Sequence, residues 1–227
     1  MFSIPEMISF LPSLLHGAWL TIVVSLISYA LALVLGLLTG LGRISRLTPL
    51  RALTAIYVQF IRGTPLLLQL FFVYYVLPYG GIVLTPFTSA VIGLTLNYAA
   101  YMAEVFRSGI QAIPKGQWEA GLASGMSRRV LMRRIILPQS VRIIIPPLGN
   151  FFVSIFKDSA LVSVITMRDL LFSGEMLAAA TYKHFEIFTM VAAIYFLISY
   201  PTAKFVEFVE AKLDIHRRPA AVQGVRA

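Results

Sequence analysis

No cysteine occurs in the 227 residues, which excludes a disulfide framework and any thiolate metal site. The three histidines, His16, His184 and His216, stand too far apart for ligand spacing and read as interfacial or tail residues, so no metal is expected. Charge is scarce and unbalanced, with 13% charged residues split into 19 basic and 10 acidic. The stretch 78–88 has none. There is no G-x-x-x-x-G-K-[ST] phosphate loop, so the chain is not expected to cradle ATP or any other cofactor itself. Nor is there a nucleophile, base and orienting-group constellation, and an enzyme is not expected. The first 17 residues carry only Glu6 among the charged types and lack a basic n-region, so no signal peptide is expected to be cleaved.

What the chain has in excess is apolar residues. At 58% hydrophobic with positive mean hydropathy, it carries more apolar surface than a soluble domain of this size buries. Runs approaching the ~20 residues of a spanning helix lie at 18–41, 53–77, 89–113, 143–165 and 185–208. The expected fold class is an all-α membrane protein with about five transmembrane helices. A net charge of +9 raises the question of a nucleic-acid partner, but 16 of the 19 basic residues fall in alternate inter-span regions. That is the positive-inside pattern of an N-out, C-in topology, so the bilayer is the expected partner and nucleic acid is not. The expected division is an outer interfacial lead-in at 1–17, one transmembrane domain at 18–212 and a cytoplasmic tail at 213–227, disordered from Pro219 onward.

Within the first span Ala32, Gly36 and Gly40 recur every four residues. The stripe either admits a neighbouring helix closely or reflects the general frequency of glycine in membrane helices. The second run is broken at Arg62-Gly63-Thr64-Pro65, where Thr64 suits an N-cap and Pro65 the first helical position. From Pro65 to Leu77 is only ~20 Å of helix against a ~30 Å core. The preceding segment therefore contributes, as a bent half or, in the favoured reading, as a helix at the inner interface anchored by Arg62.

The third run places Asn97, Tyr101, Glu104 and Ser108 at i, i+4, i+7 and i+11, on one helix face. A carboxylate there needs a wet cavity or a partner, so Glu104 either lines a pathway, the favoured reading, or sits in an interhelical ion pair. In the fourth run, expected to open at Pro146-Pro147, Asn150, Ser154 and Asp158 form a second polar set. Lys157 points ~100° away from Asp158, so both cannot face one cavity equally. Asn97, Tyr101, Glu104, Asn150, Ser154 and Asp158 are the candidate pathway residues. The outer segment 166–184 is expected to hold a short helix from Asp169 to Ala180, and Pro201 is expected to kink the last span.

Gln117 to Pro138 is a basic island between apolar blocks. Glu119 complements a helix N-terminus, while the arginines hold the island on the cytoplasmic side and Pro138 is expected to end it. Gly121 and Gly125 lie one turn apart, each costing ~1 kcal/mol relative to alanine in a helix, which points to close approach of a partner surface.

Glu119-Ala120-Gly121, then Gly125, Ile135 and Leu137-Pro138 resemble the EAA motif of permease subunits in ATP-binding-cassette importers, with Gly121 where alanine is usual. Further segments are similar to the polar amino acid branch of that family. They are Arg62-Gly63-Thr64-Pro65-Leu66-Leu67 with Gln69, Tyr98 through Arg107, Ile113 through Trp118, Lys157 through Ser163, and Thr181-Tyr182 to Phe185-Glu186. The resemblance implies a type I importer permease with a coupling helix at about 117–132, in which Glu119, Ala120, Gly121 and Gly125 meet a cytoplasmic ATPase. It also implies a dimer of such ATPases binding ATP and Mg, a second permease subunit, an extracytoplasmic substrate-binding protein, a polar amino acid as cargo, and a bacterial inner membrane. The alternative is a self-contained ion-coupled carrier using Glu104 or Asp158, against which stands the absence of any sign of an inverted repeat.

Overall fold

The computed structural model describes residues 4–213, and every described element is helical. The order is α1 (Ile4–Arg43), α2 (Thr48–Arg62), α3 (Leu66–Phe71), α4 (Pro86–Gln111), α5 (Lys115–Ala123), α6 (Arg128–Leu131), α7 (Leu137–Asp158), α8 (Leu170–Thr181) and α9 (His184–Lys212). The expected tail falls almost wholly outside the described residues.

α4 is the axis of the bundle. Thr85 caps it by accepting the Thr88 N–H, and its most extensive neighbour is α1. Closeness there depends on small residues: a Cβ at Gly36 would sit 2.8 Å from Met102 Cβ and 3.1 Å from the Ala99 carbonyl, and one at Gly40 2.8 Å from the Ala103 carbonyl. The stripe on α1 is therefore a helix-packing seam, opposite alanines on α4. Buried Val24, Ala32, Leu94, Ala99 and Met102 form the main core, with Ile155 and Phe156 from α7.

Among the described residues three helices are long and apolar enough to cross a membrane, Glu6–Arg43, Arg128–Ile165 and His184–Lys212, and Thr48–Arg62 with Leu66–Gly80 makes a fourth if taken as one broken span. The expected fifth is α4, whose 26 residues suffice in length but whose inward polar face lowers its hydropathy. Exposed Trp19, Leu38, Phe196, Leu197 and Phe208 on the outside of the bundle fit contact with hydrocarbon rather than water.

Several boundaries differ from expectation. The lead-in is not separate, because α1 runs unbroken through Pro12, and Leu14 and Ala18 pack with Leu170, Ile187 and Met190. Pro65, not Thr64, occupies the N-cap position of α3; the Thr64 hydroxyl instead donates back to the carbonyls of Phe60 at 3.0 Å and Ile61 at 3.3 Å. α2 and α3 meet at 106°, the geometry of a helix crossing the end of the bundle, with Val58 and Ile61 turned inward and Leu53, Ile56 and Phe60 outward.

Pro138 does not end a helix, and none opens at Pro146-Pro147, which lie inside α7. A π turn at Met132–Ile136 precedes Leu137-Pro138, and a second at Phe72–Val76 precedes Leu77-Pro78. In each, the leucine N–H reaches back five residues, to Met132 and to Phe72. Widening the turn by one residue moves the carbonyl that a proline ring strikes in an α-helix, so the chain continues where a strict α-helix would break.

Candidate functional site

The break between α2 and α3 is held by a polar network. Gln69 Nε2 donates to the Ile61 carbonyl at 2.8 Å, the Thr64 carbonyl at 3.0 Å and the Thr64 hydroxyl at 2.8 Å, tying off groups that the lost helical turn exposes. Gln69 Oε1 accepts from Asn97 Nδ2 at 3.0 Å, so the only 7% exposed Asn97 links this corner to α4.

Beside that corner opens a cleft of ≈ 360 Å³, lined among others by Thr64, Asn97, Tyr101, Ser154 and Asp158, with Phe151 and Leu161 as apolar walls. The Tyr98 hydroxyl donates to Asp158 Oδ2 at 2.6 Å, crossing from α4 to α7 and fixing the carboxylate at the cleft. Phe151 stands edge-on to both Tyr98 and Tyr101, with centroids 5.9 and 6.1 Å away. The Arg62 guanidinium lies 5.3 Å from the centre of the Tyr101 ring, bringing a positive charge beside the same wall. A carboxylate and amide and hydroxyl groups thus surround one space large enough for a small polar molecule, with the Arg62 guanidinium against the Tyr101 ring and outside the lining.

Four of the six candidate pathway residues, Asn97, Tyr101, Ser154 and Asp158, meet here, and Lys157 does not join Asp158 in the lining. Asn150 is exposed and lies outside the cleft. Glu104 is placed elsewhere: its carboxylate is paired with Arg107 on the same helix and lies 3.5 Å from Arg43 Nη2 on α1, which is the interhelical ion pair. Sequence reasoning gave Tyr98 and Gln69 no part in the pathway. Tyr98 lies one residue off the polar stripe and is 4% exposed, so its periodicity reads as core; only its hydroxyl distinguishes it.

In the basic island, α5 ends at Ala123 rather than continuing to 132. Gly125 has φ +76°, and the Met126 N–H reaches the Gly121 carbonyl at 3.1 Å while the Gly125 N–H reaches Leu122 at 3.0 Å. This is a Schellman helix stop, in which Gly125 supplies the left-handed residue. Ser127 then caps α6 by accepting the Val130 N–H. Gly121 is buried, and a Cβ there would lie 2.3 Å from Leu131 Cδ1. The two glycines therefore do not share a helix face turned to a partner: Gly121 admits this chain's own Leu131, and Gly125 makes a turn. Trp118 of α5 packs in one cluster with Ile113, Met126, Leu131 and Ile136, leaving Glu119, Ala120 and Leu122 exposed. Among the described residues no group of three His, Cys, Asp or Glu side chains could hold a metal.

Residues 32–215 match the family described as binding-protein-dependent transport system inner membrane component. The L-cystine transport system permease protein TcyB of Bacillus subtilis is 40% identical over 207 residues, covering 91% of this chain and 88% of that protein. The glutamine transport system permease protein GlnP of Escherichia coli is 35% identical over 207 residues, 90% and 94% of the two chains. Among solved structures, an amino acid ABC transporter with histidines superposes with a TM-score of 0.88 at 34% identity, covering 93% of this chain and 99% of that one. The MetNI methionine ABC transporter, at 18% identity and TM-score 0.73, shares the fold. With its helical bundle, inward polar cleft and exposed α5, this multi-pass membrane protein belongs to the binding-protein-dependent transport system inner membrane component family.

Proposed function

We propose that this chain is the membrane-spanning subunit of an ATP-driven importer that carries a polar amino acid across a bacterial cytoplasmic membrane by alternating access. The observation that carries the reading is the likeness over nearly the whole chain, at 34% identity and a TM-score of 0.88, to the amino acid ABC transporter with histidines, supported by relatives named for L-cystine and glutamine. The amino terminus lies outside and the carboxyl terminus inside. α5 seats in a cytoplasmic ATPase through Glu119, Ala120 and Leu122; ATP and Mg are held by that partner and not by this chain. A second permease subunit, identical or paralogous, completes the pathway, and an extracytoplasmic binding protein delivers the cargo.

In the cleft, Asp158, held by Tyr98, faces the cargo's ammonium group. Arg62 beside Tyr101 supplies the opposite charge for its carboxylate, and Asn97 and Ser154 complete the polar wall. An ion-coupled carrier built on Glu104 is not favoured, because Arg43 and Arg107 already engage that carboxylate.

The absence of native cysteine makes α5 directly testable. With a thiol-anchored photo-crosslinker in the intact complex, Ala120→Cys is expected to form an adduct with the ATPase subunit. Tyr79→Cys, on the loop at the opposite end of α4, is expected not to. No adduct from Ala120→Cys, or equal adducts from both, overturns the docking assignment.

A further inference from the structure

At the end of α4 that leads into α5, a second cleft of ≈ 380 Å³ opens between α1, α2 and α4. Arg43, Arg51 and Arg107 line it with Thr48 and Gln111, and Ala52 and Ala55 leave the α2 side open. The lining contains no acid; Glu104, next to it, is already divided between two of its arginines: Arg107 Nε donates to it at 2.9 Å, and Arg43 Nη2 lies 3.5 Å away. Arg107 Nη1 donates to Gln111.

Three observations leave the site short of negative charge. Among the described residues no ion pair involves Arg51. Arg43 Nη1 is buried with no hydrogen-bond partner, a costly state for a charged donor. Glu104 Oε2 is also buried without a hydrogen bond, but three guanidinium groups with five N–H donors each far exceed what one carboxylate and one amide oxygen accept. Moreover, the N-cap Leu47 offers α2 no side-chain acceptor, so the positive end of that 15-residue helix adds to the same field at Thr48.

We propose that this cleft binds a phosphate group, supplied by the headgroup of an acidic phospholipid. Phosphate suits the site because its several acceptor oxygens engage separate guanidinium groups at once. The lipid source follows from α2. That helix turns 106° away from α3 and gives Thr48, Arg51, Ala52 and Ala55 to the cleft while its adjoining face presents Leu53, Ile56 and Phe60 outward, so one helix offers neighbouring surfaces to a phosphate and to apolar chains. The inference needs the chain to span a membrane but not to carry any particular cargo.

The test is native mass spectrometry of the intact transporter complex in mild detergent, titrated with phosphatidylglycerol, phosphatidylcholine or inorganic phosphate. Phosphatidylglycerol is expected to be retained at one per copy of this chain and at least tenfold better than phosphatidylcholine. Arg51→Gln, at an exposed and unpaired position, is expected to weaken retention about fivefold, the effect of one surface charge on an acidic headgroup. Arg46→Gln removes an equal charge from a neighbouring exposed residue outside the cleft and is expected to change nothing. Equal retention of the two lipids overturns the proposal, as does an equal loss from both variants. Displacement of phosphatidylglycerol by millimolar inorganic phosphate, with phosphate then retained, assigns the cleft to a free anion and overturns the lipid source.

Discussion

Gly36 and Gly40 on α1, and Gly121 and Gly125 around α5, are two glycine pairs with the same four-residue spacing and unrelated physical roles. The first pair lies on one face of an unbroken helix, where missing Cβ atoms let α4 approach to backbone contact. The second pair is separated by a helix stop: one glycine makes room for Leu131 and the other adopts a backbone angle that side chains disfavour. Spacing establishes a shared face only while the helix continues. In the apolar first span nothing interrupts it, whereas Ser124 to Ser127 in the basic island is rich in the small and polar residues that end helices.

The largest effect is expected for Gly36→Leu. The obstacles are Met102 Cβ and the Ala99 carbonyl, neither of which swings away, so a loss of about 3 kcal/mol is expected, read as a lowered unfolding temperature of the purified complex. Next comes Gly121→Leu, at about 2 kcal/mol, because its obstacle is the mobile end of Leu131. Its signature is a loosened α5 corner, measured as faster hydrogen exchange at 115–131. If it instead left exchange unchanged while abolishing ATPase binding, Gly121 would face the partner after all.

Gly125 gives the sharpest contrast. A Cβ there would meet no atom within 4 Å, so Gly125→Ala is expected to cost only the left-handed strain, about 1 kcal/mol, and Gly125→Asn clearly less. Coupled ATPase activity should follow the same order. Equal damage from alanine and asparagine would mean that bulk against a partner, rather than backbone angle, is what matters.

The same contrast extends to two carboxylates. Asp158→Asn is expected to raise the cargo KM about tenfold by removing the charge held at the cleft, a ~1.4 kcal/mol change. Glu104→Gln is expected to leave KM within about twofold while lowering stability, since it breaks the tie between α1 and α4. Reversed phenotypes would return Glu104 to the pathway.

The bundle was legible in the sequence because apolar runs and basic loops are collective signals that no single residue spoils. Asn97, Tyr101, Ser154 and Asp158 were legible because helical periodicity reports a face. The same periodicity could not tell a cleft from an ion pair, so it grouped Glu104 with them; the deciding atoms, on Arg43, are 61 positions away. The helix continuations through Pro138 and Pro146-Pro147 were hidden too, because Pro138 reads as a stop and the proline pair as a helix start. For Pro138, the π turn that lets the chain pass it depends on the i→i−5 bond of Leu137, which local composition does not announce. Tyr98 was missed since a buried aromatic in a membrane helix ordinarily packs, and its hydroxyl becomes meaningful only once α7 brings Asp158 to 2.6 Å.

The most direct measurement is uptake of labelled polar amino acids into liposomes containing the complete complex with its binding protein. Accumulation is expected only with ATP on the ATPase side, and none is expected from a proton gradient alone. Uptake that persists without the ATPase subunit, driven by a proton gradient, would contradict ATP-driven import.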